Sequence, residues 1–381
     1  MSLGKVRTKL LIVVNYYYPY ISGVSEYAKY MAECLSEEFE IIVLTGQHER
    51  NLKDKELVNG YWIYRAKPLF FFNKGYISLE FISLFRKLSK DADVINIHFP
   101  MLESGLLSLM TRKPVLLKYH CDMALVGNWI SRVAVACVRQ SGRIALKRST
   151  SIVVSSDDYA SNSFYLNGYN HKCTPIPPPN RFEGYNKEHV SSLTAKPSAY
   201  KVIGFVGRFV TEKGIDVLLK AAKNFKGQKV IFWLAGDFEK IAGGAIINEI
   251  KNDIKQLKEQ VVLLGGLTDE ELASFYSTID ILVLPSVNPF EAFGMVQLEA
   301  MTFGALPVAS DLPGVREVVK RTKIGRLATP GSPESLTSAL KDAILDCEKY
   351  GRKQIQDSVL KNFCNERFVS KYHGLVTSLA K

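Results

Sequence analysis

The segment that decides the fold reads Val202-Ile203-Gly204-Phe205-Val206-Gly207-Arg208-Phe209-Val210-Thr211-Glu212-Lys213-Gly214. It opens with a short apolar run, which predicts a buried strand. Beyond Gly214 the apolar residues Leu218, Leu219 and Ala222 predict a helix. An apolar strand that passes through a short loop into a helix is typical of a parallel sheet covered by helices.

This alternation of apolar runs with helical patterns extends over the whole chain. In the first half the strand candidates are Leu10–Val14, Ile41–Leu44, Val94–Ile97, Val115–Lys118 and Ile152–Val154. In the second half they are Val202–Val206, Val230–Leu234, Val261–Leu264, Ile281–Leu284 and Leu306–Val308. Runs that are apolar on both faces and separated by helices indicate parallel sheets covered on both sides, so the predicted fold class is α/β.

A proline cluster separates the two sets of strands. Residues 174–180 are rich in proline, and a polar stretch without apolar periodicity continues through Ser198. This composition predicts a linker and hinge near residues 175–200. We therefore expect two doubly wound, Rossmann-like domains facing a cleft, at residues 1–180 and 181–355, with ligands bound beyond the carboxyl ends of the strands. A C-terminal helix around Phe368–Leu379, within residues 356–381, is expected to cross back to the first domain.

Length and composition narrow the class of protein. A chain of 381 residues with 47% apolar and 23% charged residues suits two soluble globular domains. We expect no membrane-spanning helix, because no apolar run reaches about 18 residues. We expect no signal peptide, because tyrosines rather than a cleavage site follow Leu10–Val14. The six cysteines are scattered without a CxxC pair, which predicts free thiols in the cytoplasm and no zinc site.

The formal net charge of +11 is unevenly distributed. Residues 101–150 hold eight Lys or Arg against Glu103 and Asp122, a net of +6. Nucleic acid is one possible partner, but no RNA- or DNA-binding motif accompanies the charge. An anionic membrane surface or a phosphorylated substrate suits it better.

Arg208 and Lys213 lie five residues apart, where the strand Val202–Val206 leads into the next helix. The backbone amides and dipole of a helix N-terminus add to side-chain positive charge, so this loop is a candidate anion site. Arg can bind phosphate through two donors, whereas Lys acts as a point charge. Taken alone, the pair is also compatible with two solvated surface cations.

Two carboxylates, Glu291 and Glu299, lie eight positions apart. Glu291 is expected in a turn, and Glu299 about a turn and a half into a buried helix that begins near Gly294. A buried carboxylate without hydrogen-bond donors is costly, so we expect a hydroxyl-rich ligand to supply them. The alternative is a helix-capping carboxylate together with a structural ion pair.

Gly23 lies between the first strand and a helix predicted at Tyr27–Leu35, where a ligand could approach the backbone closely. The G-x-G-x-x-G fingerprint is absent from this loop, which counts against an oxidoreductase. Gly23 is also compatible with an ordinary turn.

His120 follows the strand Pro114–Tyr119 and lies close to Asp122 in the sequence. It is a candidate proton shuttle or substrate contact, or a satisfied loop residue. His98 also ends a strand and is expected to be structural. The sequence contains no serine elbow, P-loop or cluster of metal ligands.

Further segments follow these loops in a fixed order. They are Leu234-Ala235-Gly236-Asp237, Leu264-Gly265-Gly266-Leu267-Thr268-Asp269-Glu270-Glu271-Leu272, Asp280-Ile281-Leu282-Val283-Leu284-Pro285-Ser286, the E-x7-E segment from Glu291 to Glu299, Gly304-Ala305-Leu306-Pro307-Val308-Ala309-Ser310 and Gly314 with Glu317. Together with the loops at Gly23, His120 and Arg208–Gly214, they resemble the retaining nucleotide-sugar glycosyltransferases of the GT-B fold, family 4 (group 1). The resemblance covers nearly the whole chain.

The resemblance implies roles for the matching residues of the second domain. Arg208 and Lys213 would bind the donor diphosphate and stabilise charge on the departing nucleoside diphosphate. Glu299 would bind the ribose hydroxyls, and Glu291 would contact the donor sugar. Leu267, at the end of a strand, would line the pocket for the nucleotide base. The backbone amides of Phe293, Gly294 and Met295 would bind the sugar hydroxyls and the phosphate.

In the first domain, the resemblance implies that His120 contacts the sugar and that Gly23 lies beneath the phosphates and the acceptor. Many members carry two adjacent glycines where this chain has Ser22-Gly23.

The implied reaction retains the anomeric configuration and uses no metal ion or other cofactor. The two cations take the place of a divalent ion, and Glu291 is expected to contact hydroxyls rather than act as a nucleophile. The co-substrate is a nucleotide-diphosphate sugar, with uridine favoured slightly over guanosine. The alternatives are transfer to a soluble small acceptor and a nucleotide-sugar-binding protein without catalysis.

The acceptor is expected to be a glycan or a lipid-linked glycan of a cell-surface polysaccharide or glycolipid. Arg132, Arg139 and Arg143 fall on one face of a helix predicted within Trp129–Thr150, and family members often attach to the inner membrane through such helices. The aromatic segment Pro68–Lys74 could insert into the interface. The alternative is a core helix with a solvated basic face.

Overall fold

A computed structural model of the chain describes residues 7–72, 75–123, 129–185, 199–237 and 246–381. The chain divides into two units, Met1–Pro179 with Asn365–Lys381, and Asn180–Cys364. Each unit is an α/β structure built on a largely parallel sheet, so the prediction of two Rossmann-like domains is confirmed. Most of the predicted linker, residues 186–198, lies outside the described residues.

The first unit contains an eight-stranded sheet and a small hairpin. Its strands are β1 (Lys9–Val13), β2 (Glu40–Gly46), β3 (Lys55–Val58), β4 (Tyr61–Ala66), β5 (Phe70–Phe72), β6 (Gly75–Ile77), β7 (Val94–Phe99), β8 (Val115–Tyr119), β9 (Ser151–Val154) and β10 (Cys173–Pro175). Its helices are α1 (Gly23–Leu35), α2 (Leu79–Asp91), α3 (Ser104–Met110), α4 (Trp129–Arg148) and α5 (Asp157–Asn162). The large sheet has the order β10-β9-β8-β7-β1-β2-β4-β3, and only β3 runs antiparallel to its neighbour.

β1 lies at the point where the strand order of this sheet reverses. The chain leaves β1 toward β2 on one side and later returns to β7 on the other. Leu10–Val13 are completely buried, as expected for a central strand covered on both faces. Ligands of doubly wound sheets bind beyond the carboxyl ends of the strands at such a reversal.

The second unit contains a six-stranded parallel sheet of order β13-β12-β11-β14-β15-β16. Its strands are β11 (Lys201–Val206), β12 (Val230–Ala235), β13 (Val261–Gly265), β14 (Ile281–Leu284), β15 (Leu306–Ser310) and β16 (Arg326–Ala328). Its helices are α6 (Ile215–Ala222), α7 (Ile247–Leu257), α8 (Asp269–Thr278), α9 (Met295–Thr302), α10 (Glu317–Thr322), α11 (Pro333–Lys349) and α12 (Arg352–Phe363). Here the strand order reverses between β11 and β14, so the loops after these two strands share one ligand-binding edge.

The last helix, α13 (Asn365–Leu379), belongs to the first unit. Tyr372 of this helix hydrogen-bonds Tyr27 of α1 through the two hydroxyl groups, at 3.1 Å, and both rings are buried. Phe368 packs against the same two rings.

Two further features bear on the class of protein. All six cysteines are free thiols. In the part of the chain that the structure describes, no helix combines the length and apolarity needed to cross a bilayer.

Candidate active site

The loop after β11 carries Arg208 and Lys213 and is shaped by Gly214. Gly214 adopts a left-handed conformation (φ 68°), and a Cβ at this position would lie 2.0 Å from the carbonyl oxygen of Pro285. Only glycine therefore permits this loop to approach the loop after β14 so closely. The backbone N–H of Val287 also donates to the carbonyl of Glu212, which ties the two loops together.

Lys213 forms an ion pair with Glu291, the residue predicted to contact the sugar. Its ammonium group donates to Glu291 Oε2, and the two side chains are 22% and 17% exposed. Arg208 is half exposed, and its guanidinium lies 3.7 Å from the Glu212 carboxylate. The structure thus brings Arg208, Lys213 and Glu291 to one edge of the second sheet, where each cation also has a carboxylate close by.

Glu299 lies in α9, as the sequence predicts. The helix begins after Gly294, which adopts a left-handed conformation (φ 78°) and where a Cβ would lie 2.3 Å from Leu284 Cδ2. Glu299 is the fifth helical residue, about a turn and a half from the start. The residue is buried, with 6% of its surface exposed.

The donors to Glu299 in the structure come from the protein itself, as in the alternative of a structural ion pair. The Tyr276 hydroxyl donates to Oε2 at 2.7 Å, and Arg181 donates to the same atom at 3.3 Å. Arg181 Nε also lies 3.2 Å from Oε1, and its guanidinium reaches Asp269 at 3.1 Å. Burial, chiefly, raises the pKa of Tyr276 well above its ordinary range, so this hydroxyl remains a donor.

The other residues predicted to contact the nucleotide-sugar donor are Leu267, Phe293, Gly294 and Met295. Leu267 follows β13 and packs, partly buried, against the cluster that contains Tyr276. Phe293 is buried and packs against Phe363 at a ring distance of 5.9 Å. Its amide and those of Gly294 and Met295 lie where α9 begins, and the first N–H groups of a helix have no acceptor within it.

In the first unit, His120 pairs with His98 rather than with Asp122. His120 Nε2 lies 3.1 Å from His98 Nδ1. The Asp122 carboxylate accepts hydrogen bonds from Tyr119 at 2.8 Å and Ser163 at 2.5 Å. His98, which is expected to be structural, is buried and contacts the ring of His120.

Lys118 adds a buried cation to this pair. It is completely buried, its ammonium lies 4.4 Å from the centre of the Tyr27 ring, and it donates to Ser155 at 3.3 Å. Burial lowers the pKa of Lys118 to about 7. Burial and the Lys118 charge lower the pKa of His98 to about 3, and burial lowers that of His120 well below its ordinary value, so both imidazoles are neutral near pH 7.

Gly23 is the first residue of α1, which begins earlier than the predicted Tyr27. Ser22 caps the helix, and its side chain and that of Ser25 form a reciprocal capping box. Gly23 is exposed, and a Cβ there would meet nothing within 4 Å. The structure therefore places Gly23 on an open helix N-terminus, with the serine next to it engaged in capping.

The structure shows no candidate metal site in the described ranges. Among residues 7–72, 75–123, 129–185, 199–237 and 246–381, no group of three or more His, Cys, Asp or Glu side chains is arranged to hold a metal ion.

The sequence is similar to those of known glycosyltransferases. The family model described as "Glycosyl transferases group 1" matches residues 187–356. The chain is also 24% identical over 385 residues to O-antigen chain mannosyltransferase C of Escherichia coli, and the match covers 97% of this chain and 99% of the mannosyltransferase.

Solved structures share the fold. The chain superposes on sucrose-phosphate synthase of Thermosynechococcus elongatus with a TM-score of 0.80 and 20% identity, covering 98% of this chain and 99% of the synthase. It superposes on Anabaena Alr3699/HepE, solved in complex with UDP and glucose, with a TM-score of 0.76 and 18% identity, covering 98% and 100%.

Proposed function

We propose that this glycosyltransferase of the GT-B fold, whose residues 187–356 match the family model of group 1 glycosyl transferases, transfers a sugar from a nucleotide-diphosphate sugar to a glycan or lipid-linked acceptor. The transfer retains the anomeric configuration and needs no metal ion. The product belongs to a cell-surface polysaccharide or glycolipid, and uridine diphosphate is the favoured leaving group.

The observation that carries this proposal is the pairing of Lys213 with Glu291 at the edge where β11 and β14 end. A diphosphate carries more negative charge than one carboxylate, so a donor competes for the Lys213 ammonium and for Arg208. Release of Glu291 from its ion pair then frees a carboxylate for the hydroxyls of the donor sugar. The same binding event thus prepares the phosphate contact and the sugar contact.

Arg208 and Lys213 also assist departure of the nucleoside diphosphate. Charge accumulates on the leaving phosphate in the transition state, and fixed cations stabilise it there without reorganisation of solvent. A divalent metal ion performs the same task in other enzymes, so two cations make it dispensable.

Glu299 is suited to bind the ribose even though the protein already supplies donors to it. The hydrogen bonds from Tyr276 and Arg181 both end on Oε2, while Oε1 lies 3.2 Å from Arg181 Nε. A carboxylate offers about four acceptor positions, so Oε1 retains capacity for a ribose hydroxyl. Leu267, at the end of β13, then provides an apolar surface for the base.

His120, Gly23 and the start of α9 complete the proposed donor contacts. Neutral imidazole has one donor and one acceptor nitrogen, and the contact with His98 engages Nε2, which leaves Nδ1 for a sugar hydroxyl. The amides of Phe293, Gly294 and Met295 bind sugar hydroxyls and phosphate, and Gly23 lies beneath the phosphates.

The proposed reaction proceeds on one face of the sugar. The acceptor hydroxyl attacks the anomeric carbon from the side of the departing diphosphate, and a phosphate oxygen takes its proton. Glu291 is a poor nucleophile for this step, because its carboxylate is engaged by an ammonium group or by sugar hydroxyls. Trapping of a glycosyl-Glu291 intermediate would contradict this mechanism.

The acceptor side is proposed to meet an anionic membrane at the cytoplasmic face. Leu106 and Leu109 are exposed on α3, and Leu102 is exposed just before it. Val133 is exposed on α4, the helix that packs against α3. Arg132 and Arg143 are exposed on α4, whereas Arg139 is half buried over the Tyr165 ring at 4.8 Å. Exposed apolar residues flanked by basic ones are typical of a surface that rests on anionic lipid.

The hairpin β5–β6 adds an exposed aromatic edge. Leu69, Phe70 and Phe71 are all more than half exposed. The other part of the predicted insertion segment, Asn73 and Lys74, lies outside the described residues.

A thermal-shift screen against uridine, guanosine and adenosine diphosphate sugars tests the proposal. We expect one nucleotide sugar to raise the melting temperature of the wild-type protein and to do so much less with Lys213→Ala. Hydrolysis of that donor separates a transferase from a pure binder. Proton NMR of the glycoside product should show the donor's anomeric configuration, and EDTA should leave turnover unchanged. Inversion of the anomeric configuration would contradict the retaining mechanism, and loss of activity in EDTA would contradict metal independence.

A further inference from the structure

Each imidazole of the His98–His120 contact uses only one of its two ring nitrogens. His98 Nδ1 lies 3.1 Å from His120 Nε2, so one of these two atoms carries the shared proton. His98 Nε2 is buried and makes no hydrogen bond in the described part of the chain. His120 is partly exposed, so a ligand can reach its Nδ1. The position of the proton on His98 therefore decides whether His120 Nδ1 donates or accepts a hydrogen bond.

One tyrosine ring holds both imidazoles in place. Tyr27 packs edge-on against His98 and His120, with ring centres 5.8 and 5.0 Å apart. The Tyr27 ring is itself buried, and its hydroxyl is hydrogen-bonded to that of Tyr372 in α13 at 3.1 Å. A side chain whose orientation is locked by such packing is preorganised to make one hydrogen bond in one direction.

A buried cation lies on the same side of the sheet as His98. Lys118 is the register partner of His98 in the pairing of β7 with β8, and such partners point to the same face. Its ammonium lies 4.4 Å from the centre of the Tyr27 ring and donates to Ser155 at 3.3 Å. Burial, together with this charge, lowers the pKa of both imidazoles, so each ring carries one proton near pH 7.

The buried Nε2 of His98 is better suited to a lone pair than to a proton. A buried N–H without an acceptor is rarer in folded proteins than an unsatisfied acceptor. A neighbouring ammonium also attracts a lone pair and repels the positive end of an N–H. Because a neutral imidazole has a single proton, that of His98 lies on Nδ1 and is donated to His120 Nε2. The proton of His120 then lies on its own Nδ1.

We infer that His98 is a positioning residue that fixes the tautomer of His120, so that His120 presents an N–H group at Nδ1 to an oxygen of the donor sugar. A second proton would make the His120 ring cationic, which burial and the nearby ammonium disfavour. His120 therefore binds the sugar and does not act as a general base, and the proton of the acceptor hydroxyl goes to the diphosphate. This inference rests on the proposed function, because it assigns the direction of one of the sugar contacts.

Long-range proton–nitrogen correlation NMR tests the proton positions without a nucleotide sugar. The full-length protein is labelled at histidine, and the signals are assigned by their loss in His98→Asn and His120→Asn. Near neutral pH we expect a proton on Nδ1 and a lone pair on Nε2 in both His98 and His120. A proton on Nε2 of either ring would overturn the inference.

Substitution of His98 tests the consequence for the sugar. His98→Leu removes the N–H group and should lower kcat/KM for the sugar donor about tenfold, the effect of losing about one hydrogen bond. It should leave the Kd of the free nucleoside diphosphate unchanged, because that ligand has no sugar for His120 to contact. His98→Asn places an amide N–H close to the position of Nδ1 and should keep kcat/KM close to that of wild type.

A matched control separates this role from loss of fold and from failure of the proposed function. His171→Leu, at an exposed site, should change neither constant, and circular dichroism verifies the fold of each variant. Equal losses of kcat/KM in His98→Leu and His98→Asn, or weaker binding of the nucleoside diphosphate, would show that His98 is structural only. If His98→Leu does not fold, His98→Asn and the NMR spectra still decide. Absence of a thermal shift with every nucleotide sugar would instead remove the proposed transfer reaction and leave the proton positions measured.

Discussion

The ammonium group of Lys213 donates to Glu291 Oε2 and so joins the loop after β11 to the loop after β14. Both side chains are largely buried, so salt screens the pair less than a fully exposed one. The site is therefore assembled but charge-compensated before a donor arrives. Donor binding must redistribute this charge, and that requirement makes the pair open to direct test.

Replacing Lys213 with Ala is expected to lower kcat by about two orders of magnitude or more, as loss of one preorganised charge contact does. Steady-state kinetics with the identified donor measure the effect. Lys220→Ala is the matched control, because it removes an exposed lysine that pairs with Asp216 in α6 and should change kcat little. Unchanged turnover of Lys213→Ala would rule out its role on the diphosphate.

Replacing Glu291 with Gln should separate nucleotide binding from turnover. Without the carboxylate, Lys213 is no longer neutralised, so free uridine diphosphate should bind up to about tenfold more tightly, which corresponds to about 1.4 kcal/mol. Turnover of the sugar donor should fall, because the sugar loses a charged hydrogen-bond acceptor. Isothermal titration and kinetics measure the two effects, and weaker binding of uridine diphosphate would contradict the competition between donor and Glu291.

Arg181 makes two ion pairs of different burial, which predicts unequal costs of breaking them. Arg181 and Glu299 are 12% and 8% exposed, whereas Asp269 is 56% exposed. Arg181→Met leaves Glu299 buried without its cation and should lower the free energy of unfolding by about 3 kcal/mol or more. Asp269→Asn should cost below about 1 kcal/mol, the range of exposed pairs. Urea unfolding measures both, and equal costs would show that Glu299 does not depend on Arg181.

The central strands could be predicted from the sequence, whereas the edges could not. β1, β11 and β14 are short runs that are apolar apart from Lys9 and Lys201 at the first positions of β1 and β11, and such runs are typical of strands buried on both faces. The strands that the sequence does not predict are short or amphipathic. Lys55–Val58 is an edge strand that mixes polar and apolar residues, and Arg326–Ala328 has only three residues. Such segments are strands because a neighbour pairs with them, which no local pattern records.

The chemistry of the candidate site was predictable where one loop holds it and not where distant residues meet. Arg208, Lys213 and Glu291 were found from strand ends and glycines. Arg181 and Tyr276 were missed, because they lie 118 and 23 residues from Glu299 in the chain. The contact of His98 with His120 follows from the pairing of β7 with β8, in which Phe99 lies opposite Tyr119. Only knowledge of that register would have predicted it.

Charge reversal on α4 should weaken binding to anionic membranes. Each basic residue near an anionic surface contributes about 1 kcal/mol, so Arg132→Glu with Arg143→Glu should weaken binding to phosphatidylserine-containing liposomes at least about tenfold. Co-sedimentation at low and high salt measures this. Lys251→Glu with Lys255→Glu, at exposed sites on α7, makes the same change of charge and should have little effect. Binding that does not weaken at high salt would contradict the role of these arginines, and no binding by wild type would favour a soluble acceptor.

The buried histidine pair predicts how stability depends on pH. The pKa of His98 falls from an ordinary 6.5 to about 3 on folding, because the ring is buried and Lys118 lies near it. Between these values the unfolded chain binds a proton that the folded protein does not, so stability is fully present above about pH 6.5 and is lost as the pH falls toward about 3. Each such proton contributes up to about 1.4 kcal/mol per pH unit. His120 acts in the same direction, since its pKa is also lowered.

His98→Asn should therefore make the fall in unfolding free energy between about pH 6.5 and pH 5 shallower, by up to about 1.4 kcal/mol per pH unit. Urea unfolding at several pH values gives this slope, and comparing slopes cancels any cost of the substitution that does not depend on pH. His171→Asn, at an exposed site, is the control and should leave the slope unchanged. If His98→Asn keeps the wild-type slope, His98 accepts a proton in the folded protein. The proposal that a neutral His98–His120 pair presents His120 Nδ1 to the donor sugar would then be wrong.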